Sequence, residues 1–547
     1  CERFKVSKMI FDVFLPETYN LVDSSVIFNT TDKHLKELYD KAEAICKANI
    51  KTFSDYSVLI EGAKYNGVWL ETQPMGGEMY AKRNLKVALS NTLIFLRYQR
   101  KDGRFPGMIK NHGKWEGVSA HYDWLQGFFL PHAALKLYFY TGRNKQYLEL
   151  LYECLEDFNA YLWKYRDSDN DGCLESWCIW DTGEDNCTIH MLNGLKTSEH
   201  GAWGKSIPPE DYGNMPYESP QFMSYSYACC DVLSRISEIL ENGKVDFWRE
   251  NAKEVQKKFI EYLWDEENKY CFQRDKHNQK IEVLTQENIK CMYSGIFTQN
   301  MADAFIKKHL LNENEFWTPY PLPSIAANEM YFHVNSECSN CAKELKKMGT
   351  AGHDIDDNSW SGPSHGLNYQ RSIQAMINYN HHAENIMIGK KLIELIKKTN
   401  VFVQQYNPYT AEISKDADDG YGPTTLAFLE YVSLLYGINI EYNRIFWTAI
   451  LNKHNFEYAQ NMCGNKYVIK CKDNWIVASI NDEIIFECCA GLRVITDLEG
   501  NIISVFGIEE QTISAVCKLN QNTYKFDVSQ NQEYCMQNGN FILVNEV

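Results

Sequence analysis

The stretch Glu175-Ser176-Trp177-Cys178-Ile179-Trp180-Asp181-Thr182-Gly183-Glu184-Asp185-Asn186 sets two tryptophans among four carboxylates. A tryptophan ring covers the apolar face of a sugar, while a neighbouring carboxylate or amide accepts its hydroxyl protons. Five further segments share this character: 67–84, 121–127, 216–219, 352–363 and 403–409. One acidic loop is usually just solvated. Six in a single chain point to a polar, aromatic-lined site carried on loops.

Between these loops the apolar pattern is helical. Leu35, Leu38, Ala42 and Ile45 follow the N-cap cluster Thr30-Thr31-Asp32 at helical spacing, and Leu151, Leu155, Phe158 and Leu162 form another stripe. Ile388, Leu392 and Leu395 form a third, and further helices are predicted over 84–99, 124–141, 221–240, 246–264, 297–311 and 421–436. After about residue 450 the period changes to two. Ile469 and Cys471 alternate with Lys470 and Lys472, and 492–506 reads as strand, turn, strand. The chain is therefore mainly α with a small C-terminal all-β domain. The expected divisions are an N-terminal extension over 1–29 packing on the helical part, a helical domain over 30–450 and a β-sandwich-like domain over 451–547.

Fifty-five basic against 72 acidic residues give a formal charge of −17, a field that repels nucleic acid and anionic lipid. No apolar run is long enough to span a bilayer, and the opening residues lack the apolar core of a signal peptide. The 18 cysteines are scattered, with a lone Cys338-x-x-Cys341, which suits buried reduced thiols in a cytoplasmic protein. No dinucleotide, Walker or nucleophile-elbow motif is present. Asp167-Ser-Asp169-Asn-Asp171-Gly172 matches the first half of a calcium loop, but Cys178 stands where the bidentate glutamate belongs, so the segment reads as a turn entering the acidic loop. His381-His382 reads as a surface pair. Neither a metal nor a cofactor is expected, the partner is a small carbohydrate, and the oligomeric state stays open.

The run 175–186 resembles the "E-S-G-x-D-N" acid loop of the glycosidase clan that holds trehalases, processing α-glucosidase I and mannosylglycerate hydrolase. Trp360-Ser-Gly-Pro363 followed by Asn368-Tyr369 resembles that clan's "W-x-G-P" loop and its "N-Y", with a gap one residue shorter. Val403-Gln404-Gln405-Tyr406-Asn407-Pro408 resembles its late "E-x-Y-N/D-P" base loop, and 420–426 stands where the clan has "F-x-W-T-A-A-L". The resemblance covers about residues 30–440 and implies an (α/α)6 toroid or barrel, with inverting hydrolysis at a mouth built from inter-helix loops.

Carried onto this sequence, Asp185 takes the general-acid position, flanked by Trp177 and Trp180; Asp181 and Glu184 are rivals in the same loop. The base position holds Gln404 instead of glutamate. An amide can hold the attacking water but cannot take its proton. An inverting site needs its two carboxylates roughly 6.5–9.5 Å apart. Three readings stay open: an engineered Glu→Gln change, a replacement base among Glu412, Asp416 and Asp418, or a natural sugar binder that does not hydrolyse. Trp69, Glu71, Asp123, Trp124, Trp180, Glu218, Trp360, Asn368 and Tyr406 are the expected substrate contacts, with Trp69 and Glu71 standing at the clan's "W-x-D" loop. A uronate-lyase barrel, with His353 and Tyr406 as its acid–base pair, is the weaker alternative.

Overall fold

The computed structural model describes residues 12–112, 117–178, 180–184, 187, 189, 215–330, 332–334, 360–413 and 417–545. Its helices are α1 (Lys33–Ala48), α2 (Gln73–Tyr80), α3 (Leu85–Arg97), α4 (Leu130–Tyr140), α5 (Lys145–Tyr165) and α6 (Pro220–Leu240). They continue with α7 (Val245–Leu263), α8 (Glu287–Ser294), α9 (Gln299–Phe305), α10 (Gly366–Asn378), α11 (His382–Thr399) and α12 (Gly422–Tyr436).

Two kinds of helix occur. On α1 and α7 only one stripe is buried: Leu35, Leu38, Tyr39, Ala42 and Cys46 on α1, and Trp248, Ala252, Val255, Phe259 and Leu263 on α7. By contrast α8 is buried along its whole length, α10 from Gly366 to Met376 and α12 from Gly422 to Leu435. The buried helices touch in sequence, α2 on α4, α4 on α6, α6 on α8, α8 on α10 and α10 on α12, and α12 returns to α2. Prolines sit in the first turns of α2, α4, α6 and α12, where a missing N–H costs nothing. The described segments 121–127, 216–219 and 360–363 lie just ahead of α4, α6 and α10 in the chain.

The helices predicted from apolar stripes all form. The expected 124–141 helix starts later, at Leu130, because Gln126 and Gly127 have φ of 62° and 81°. Three buried helices, α2, α8 and α10, lie in stretches that carried no helical reading.

The strand-rich part holds a seven-stranded and a six-stranded antiparallel sheet. Trp447 of the smaller sheet meets Tyr467 and Phe486 of the larger at 6.2 and 5.9 Å. Strands begin at Ile438, ahead of the expected 451, because Ile438–Glu441 is buried throughout and shows no alternation. The extension before residue 30 does two things. Phe14 packs near α3, with its carbonyl accepting from Tyr56 Oη at 2.9 Å, while Ser25–Thr30 becomes the edge strand of the larger sheet by pairing with Phe456–Met462.

His381 and His382 are both buried, contrary to the surface position expected for them. His382 packs on Phe446 and Phe506 and meets Arg493 Nη1 through Nδ1 at 2.7 Å, so the pair lies where the helices join the smaller sheet. Among the described residues no helix is long and apolar enough to cross a membrane.

Candidate active site

The acidic loop is anchored by Asp181. Its Oδ2 accepts from Arg166 Nη1 at 2.6 Å and from the Trp177 amide at 2.9 Å, and its Oδ1 accepts from the Leu125 amide at 2.9 Å. Backbone bonds Gln126 N to Trp180 O and Gly127 N to Asp181 O complete the join between the 121–127 and 177–183 loops. Burial alone would raise the Asp181 pKa, but the Arg166 guanidinium and these hydrogen bonds hold it below the usual carboxylate value. Asp181 is thus a clamp whose ionised form is favoured by the fold. The same join brings Trp124 and Trp180, both half-buried, to 6.4 Å between ring centroids.

Beneath this loop lies a closed network of charged side chains. Lys290 on α8 stands 3.3 Å from Glu184 and 4.0 Å from Glu71, and donates to Thr182 O at 2.9 Å. Arg371 on α10 pairs with Glu71, and Gln286 and Gln221 both donate to Glu184. Glu71 is held closely by its neighbours. A Cβ on Gly183, whose φ is 75°, would fall 2.4 Å from Glu71 Oε1, and one on Gly127 would fall 3.3 Å from Glu71 Cγ. Burial raises the pKa of Glu71 against the pull of Arg371 and Lys290, and burial with nearby Glu184 raises that of Glu287. Lys290, Gln286 and Gln221 all present donors to the Glu184 oxygens.

On the opposite side, Tyr65 Oη donates to Gln404 Oε1 at 2.9 Å, and the half-buried Gln404 holds Gly366 N through its carbonyl oxygen at 2.9 Å. Aromatic contacts run inward from there. Tyr65 meets Tyr421 at 5.9 Å, Tyr421 meets His365 at 6.4 Å, and His365 stacks on Trp360 at 3.9 Å and 15°. Lys290 and Arg371 then lie 5.5 and 5.6 Å from the Trp360 ring. Trp360 therefore stands between the Gln404 loop and the cations that hold Glu71 and Glu184. His365 is fully buried with neither ring nitrogen hydrogen-bonded among the described residues. Burial, with Arg371 and Lys290 nearby, drives its pKa well below the usual value, so the ring is neutral.

The expected site residues separate into groups. Trp69 and the segment leading to Asp123 and Trp124 are brought side by side by a three-stranded sheet, in which Trp69 pairs with Met108 and Met108 with His121. Glu71, Trp180, Trp360 and Gln404 border the region just described. Tyr406 faces elsewhere: its hydroxyl donates to Val401 O at 2.8 Å and accepts from Val403 N at 3.0 Å, inside its own loop. Asn368 is fully buried and donates to Leu322 O at 3.0 Å. Glu218 turns instead towards Asp169 and Glu175 in a separate acidic cluster. Glu412 and Asp418 are exposed. Asp185, Asp416, His353 and the Cys338/Cys341 pair lie outside the described residues.

Lys290, Arg371, Tyr65 and His365 were not among the expected site residues, and neither was Glu61, whose burial beside Glu71 pushes its pKa up to about 8. The first two are cations fully buried inside α8 and α10, and in the sequence such residues read as surface until their distant partners are known. Among the described residues, two overlapping groups could hold a metal ion: Asp167, Asp169 and Asp171, and Asp169, Glu175 and Glu218.

A sequence search against curated proteins finds no match. Among solved structures, the chain is similar to a GH63 mannosylglycerate hydrolase from Thermus thermophilus solved with glucose. The identity is 15% and the TM-score 0.57, over 72% of this chain and 99% of that one. The same hydrolase with Tris and D-glycerate gives 15% and 0.55. A sialidase structure matches at 13% and 0.61, over 90% of this chain but 45% of its own. These likenesses show a shared fold. At the sequence level, residues 79–422 match the model of the mannosylglycerate hydrolase MGH1-like glycoside hydrolase domain, and the chain belongs to that glycoside hydrolase family.

Proposed function

We propose that the chain is an inverting glycoside hydrolase built on an (α/α)6 barrel, acting in the cytoplasm on a small α-linked glycoside of the mannosylglycerate kind. Asp185 is the general acid that protonates the leaving oxygen, and position 404 faces the attacking water. The helical part, from Lys33 to Tyr436, forms the catalytic domain and the strand-rich part from Ile438 an accessory one. The observation that carries the reading is the convergence on Trp360: the Gln404 loop reaches it through Tyr65, Tyr421 and His365, and the 180–184 loop through Lys290. Elimination supports the choice of acid, since Asp181 is an ionised clamp and Glu184 is surrounded by donors. The half-buried Trp124 and Trp180, with Trp69 on the adjoining sheet and Asp123 just beyond its last strand, supply the sugar-facing rim.

Gln404 orients water but takes no proton. A second reading, a carbohydrate binder that does not hydrolyse, draws on that amide and on the exposure of Glu412 and Asp418. One pair of variants separates the two. Gln404→Glu is expected to raise turnover of an α-glycoside by about 10²–10⁴-fold, with the product released in the inverted configuration by proton NMR. Asp185→Asn in that background is expected to abolish cleavage of substrates with poor leaving groups while binding persists. A Gln404→Glu protein that binds sugar at unchanged turnover favours the binder. Full activity after Asp185→Asn refutes the assignment of the acid.

A further inference from the structure

The buried glutamates of the site region differ in what holds them. Glu71 is paired with Arg371, Glu184 with Lys290, and Glu287 Oε1 accepts from Gln273 Nε2 at 3.1 Å. Glu61 is 6% exposed, and among the described residues no cation or amide pairs with its carboxyl, which has the Thr72 hydroxyl beside it. The backbone fixes Glu61 on the Gln404 side. Gly422 N donates to Glu61 O, while Gly420 N and Tyr421 N donate to Phe402 O at 2.9 and 2.8 Å, and Thr424 Oγ1 donates to Val403 O at 2.7 Å. Segment 420–424 therefore ties Glu61 to the loop that carries Gln404. The fit is close, since a Cβ on Gly422 would fall 2.7 Å from Glu61 O. Just after Glu61 the chain turns, with Gly62 at a φ of 78° and Tyr65 N donating to Gly62 O at 2.9 Å. That turn delivers the Tyr65 hydroxyl to Gln404 Oε1. The charge of Glu61 is felt at Tyr421, and that of Glu71 is felt at Glu61. Glu61 thus stands between Glu71, below the 180–184 loop, and the aromatic side chains that lead to Gln404.

We propose that Glu61 is the general base of the hydrolysis that the Gln404 protein itself carries out, a step that rests on the inverting-glycosidase reading and deepens it. The attacking water has two protons to place. Gln404 Oε1 already accepts from Tyr65 and has a second lone pair, so it holds one proton in a hydrogen bond without taking it. The other passes to a Glu61 carboxylate oxygen as the water oxygen bonds to the anomeric carbon. The bond from that carbon to the leaving oxygen breaks with its electron pair, and Asp185 protonates that oxygen. The proton left on Glu61 then goes to solvent, and Asp185 regains one from there. A carboxyl free of any cation suits the task, because an ion pair would hold its charge and weaken it as a base. Burial and the adjacent Glu71 charge push the Glu61 pKa up to about 8, against the Thr72 hydrogen bond and the pull of Arg371. Tyr421, which also faces it, is kept uncharged by burial, and Lys290 stands behind Glu71. Such a carboxyl is a strong base once ionised but is mostly protonated at neutral pH. The parent protein is therefore slow there, and Gln404→Glu, which adds a second carboxylate at the water, still accelerates it.

The test uses the full chain with the dinitrophenyl α-mannoside and α-glucoside, whose leaving group needs no proton, so that Asp185 drops out of the pH profile. Turnover by the parent is expected to rise about tenfold per pH unit and to level off above about pH 8. Glu61→Gln should lose about 10²–10⁴-fold on that plateau, and the rise with pH should vanish. Glutamine keeps the shape and removes a buried acid, so the variant should melt no lower than the parent and bind sugar as well. Added azide, which attacks without giving up a proton, should restore turnover and yield the glycosyl azide of inverted configuration. A residue that merely propped Tyr421 or Glu71 would give no such product. Parental turnover with an unchanged pH profile in Glu61→Gln overturns the proposal. So does a parent that is silent at every pH while Gln404→Glu turns over, a result that leaves the glycosidase reading standing. Silence in both proteins, with sugar still bound, overturns that reading as well.

Discussion

Replacing Asp181 by asparagine tests the clamp between the two loops. The carboxylate receives Arg166 Nη1, the Trp177 amide and the Leu125 amide on its two oxygens, and both it and Arg166 are at most 1% exposed on the side chain. An asparagine keeps one acceptor and turns a donor towards the others, so one backbone amide loses its partner and the guanidinium is left uncompensated. Breaking a buried pair from one side costs about 3–5 kcal/mol. Arg166 keeps the faces of Trp177 at 4.0 Å and Phe222 at 5.1 Å, which puts the expectation at the lower end of that range. Urea denaturation followed by tryptophan fluorescence at neutral pH reads the loss. Adding Arg166→Met should recover much of it, because the charge without a partner is then gone. The pH dependence has a definite sign. A carboxylate whose folded pKa is lowered contributes stability that is present above its unfolded value and lost as pH falls through the folded value. Asp181→Asn should therefore flatten the fall in stability below about pH 4. A loss under about 0.5 kcal/mol, or a double variant weaker than the sum of the singles, would refute the clamp.

Gly183→Ala forces a left-handed alanine, at about 1–2 kcal/mol, and drives its Cβ into Glu71 Oε1; a lower melting temperature and weaker sugar binding should appear together. Lys136→Met should destabilise by about 3–5 kcal/mol in the same denaturation assay, since Lys136 on α4 holds buried Glu441 at 2.8 Å and ties the helices to the first strand of the smaller sheet. For His381, burial lowers the pKa but Glu384 at 3.2 Å and Asp303 at 2.9 Å raise it further. Its contribution is complete below the ordinary histidine value of about 6.5 and lost as pH rises through the higher folded value. The melting temperature of the parent should fall across that window, and that of His381→Gln should not.

The outer helices were legible because half of each faces water: the stripe Leu35, Leu38, Ala42 is the trace of that partition. The buried helix α12 was legible too, being almost wholly apolar. The helices α2, α8 and α10 were not, because a helix buried all round shows no stripe, and these three carry Gln73, Lys290 and Arg371 inside. Such residues look like surface until their partners are known, and the partners are distant in sequence: Glu71 for Arg371, Glu184 for Lys290. The loops bearing tryptophan and acid announced the site, yet their chemistry alone could not sort side chains that support it from those that face it. Tyr406 and Asn368 turn to backbone carbonyls, and Glu218 turns to another acidic cluster.

That sorting bears directly on the proposed acid. A proton donor to a leaving oxygen must hold a proton near neutral pH and release it towards the sugar. Asp181 fails the first requirement through Arg166, and Glu184 fails the second because Lys290, Gln286 and Gln221 occupy its oxygens from within the bundle. Arg371 and Lys290 each engage a buried glutamate of this network, Glu71 and Glu184 respectively. A Lys290→Met variant should therefore disturb the folding of the loop, measured by protease resistance, without moving the pH limb of turnover assigned to Asp185. A shift of that limb would make Glu184 the acid instead.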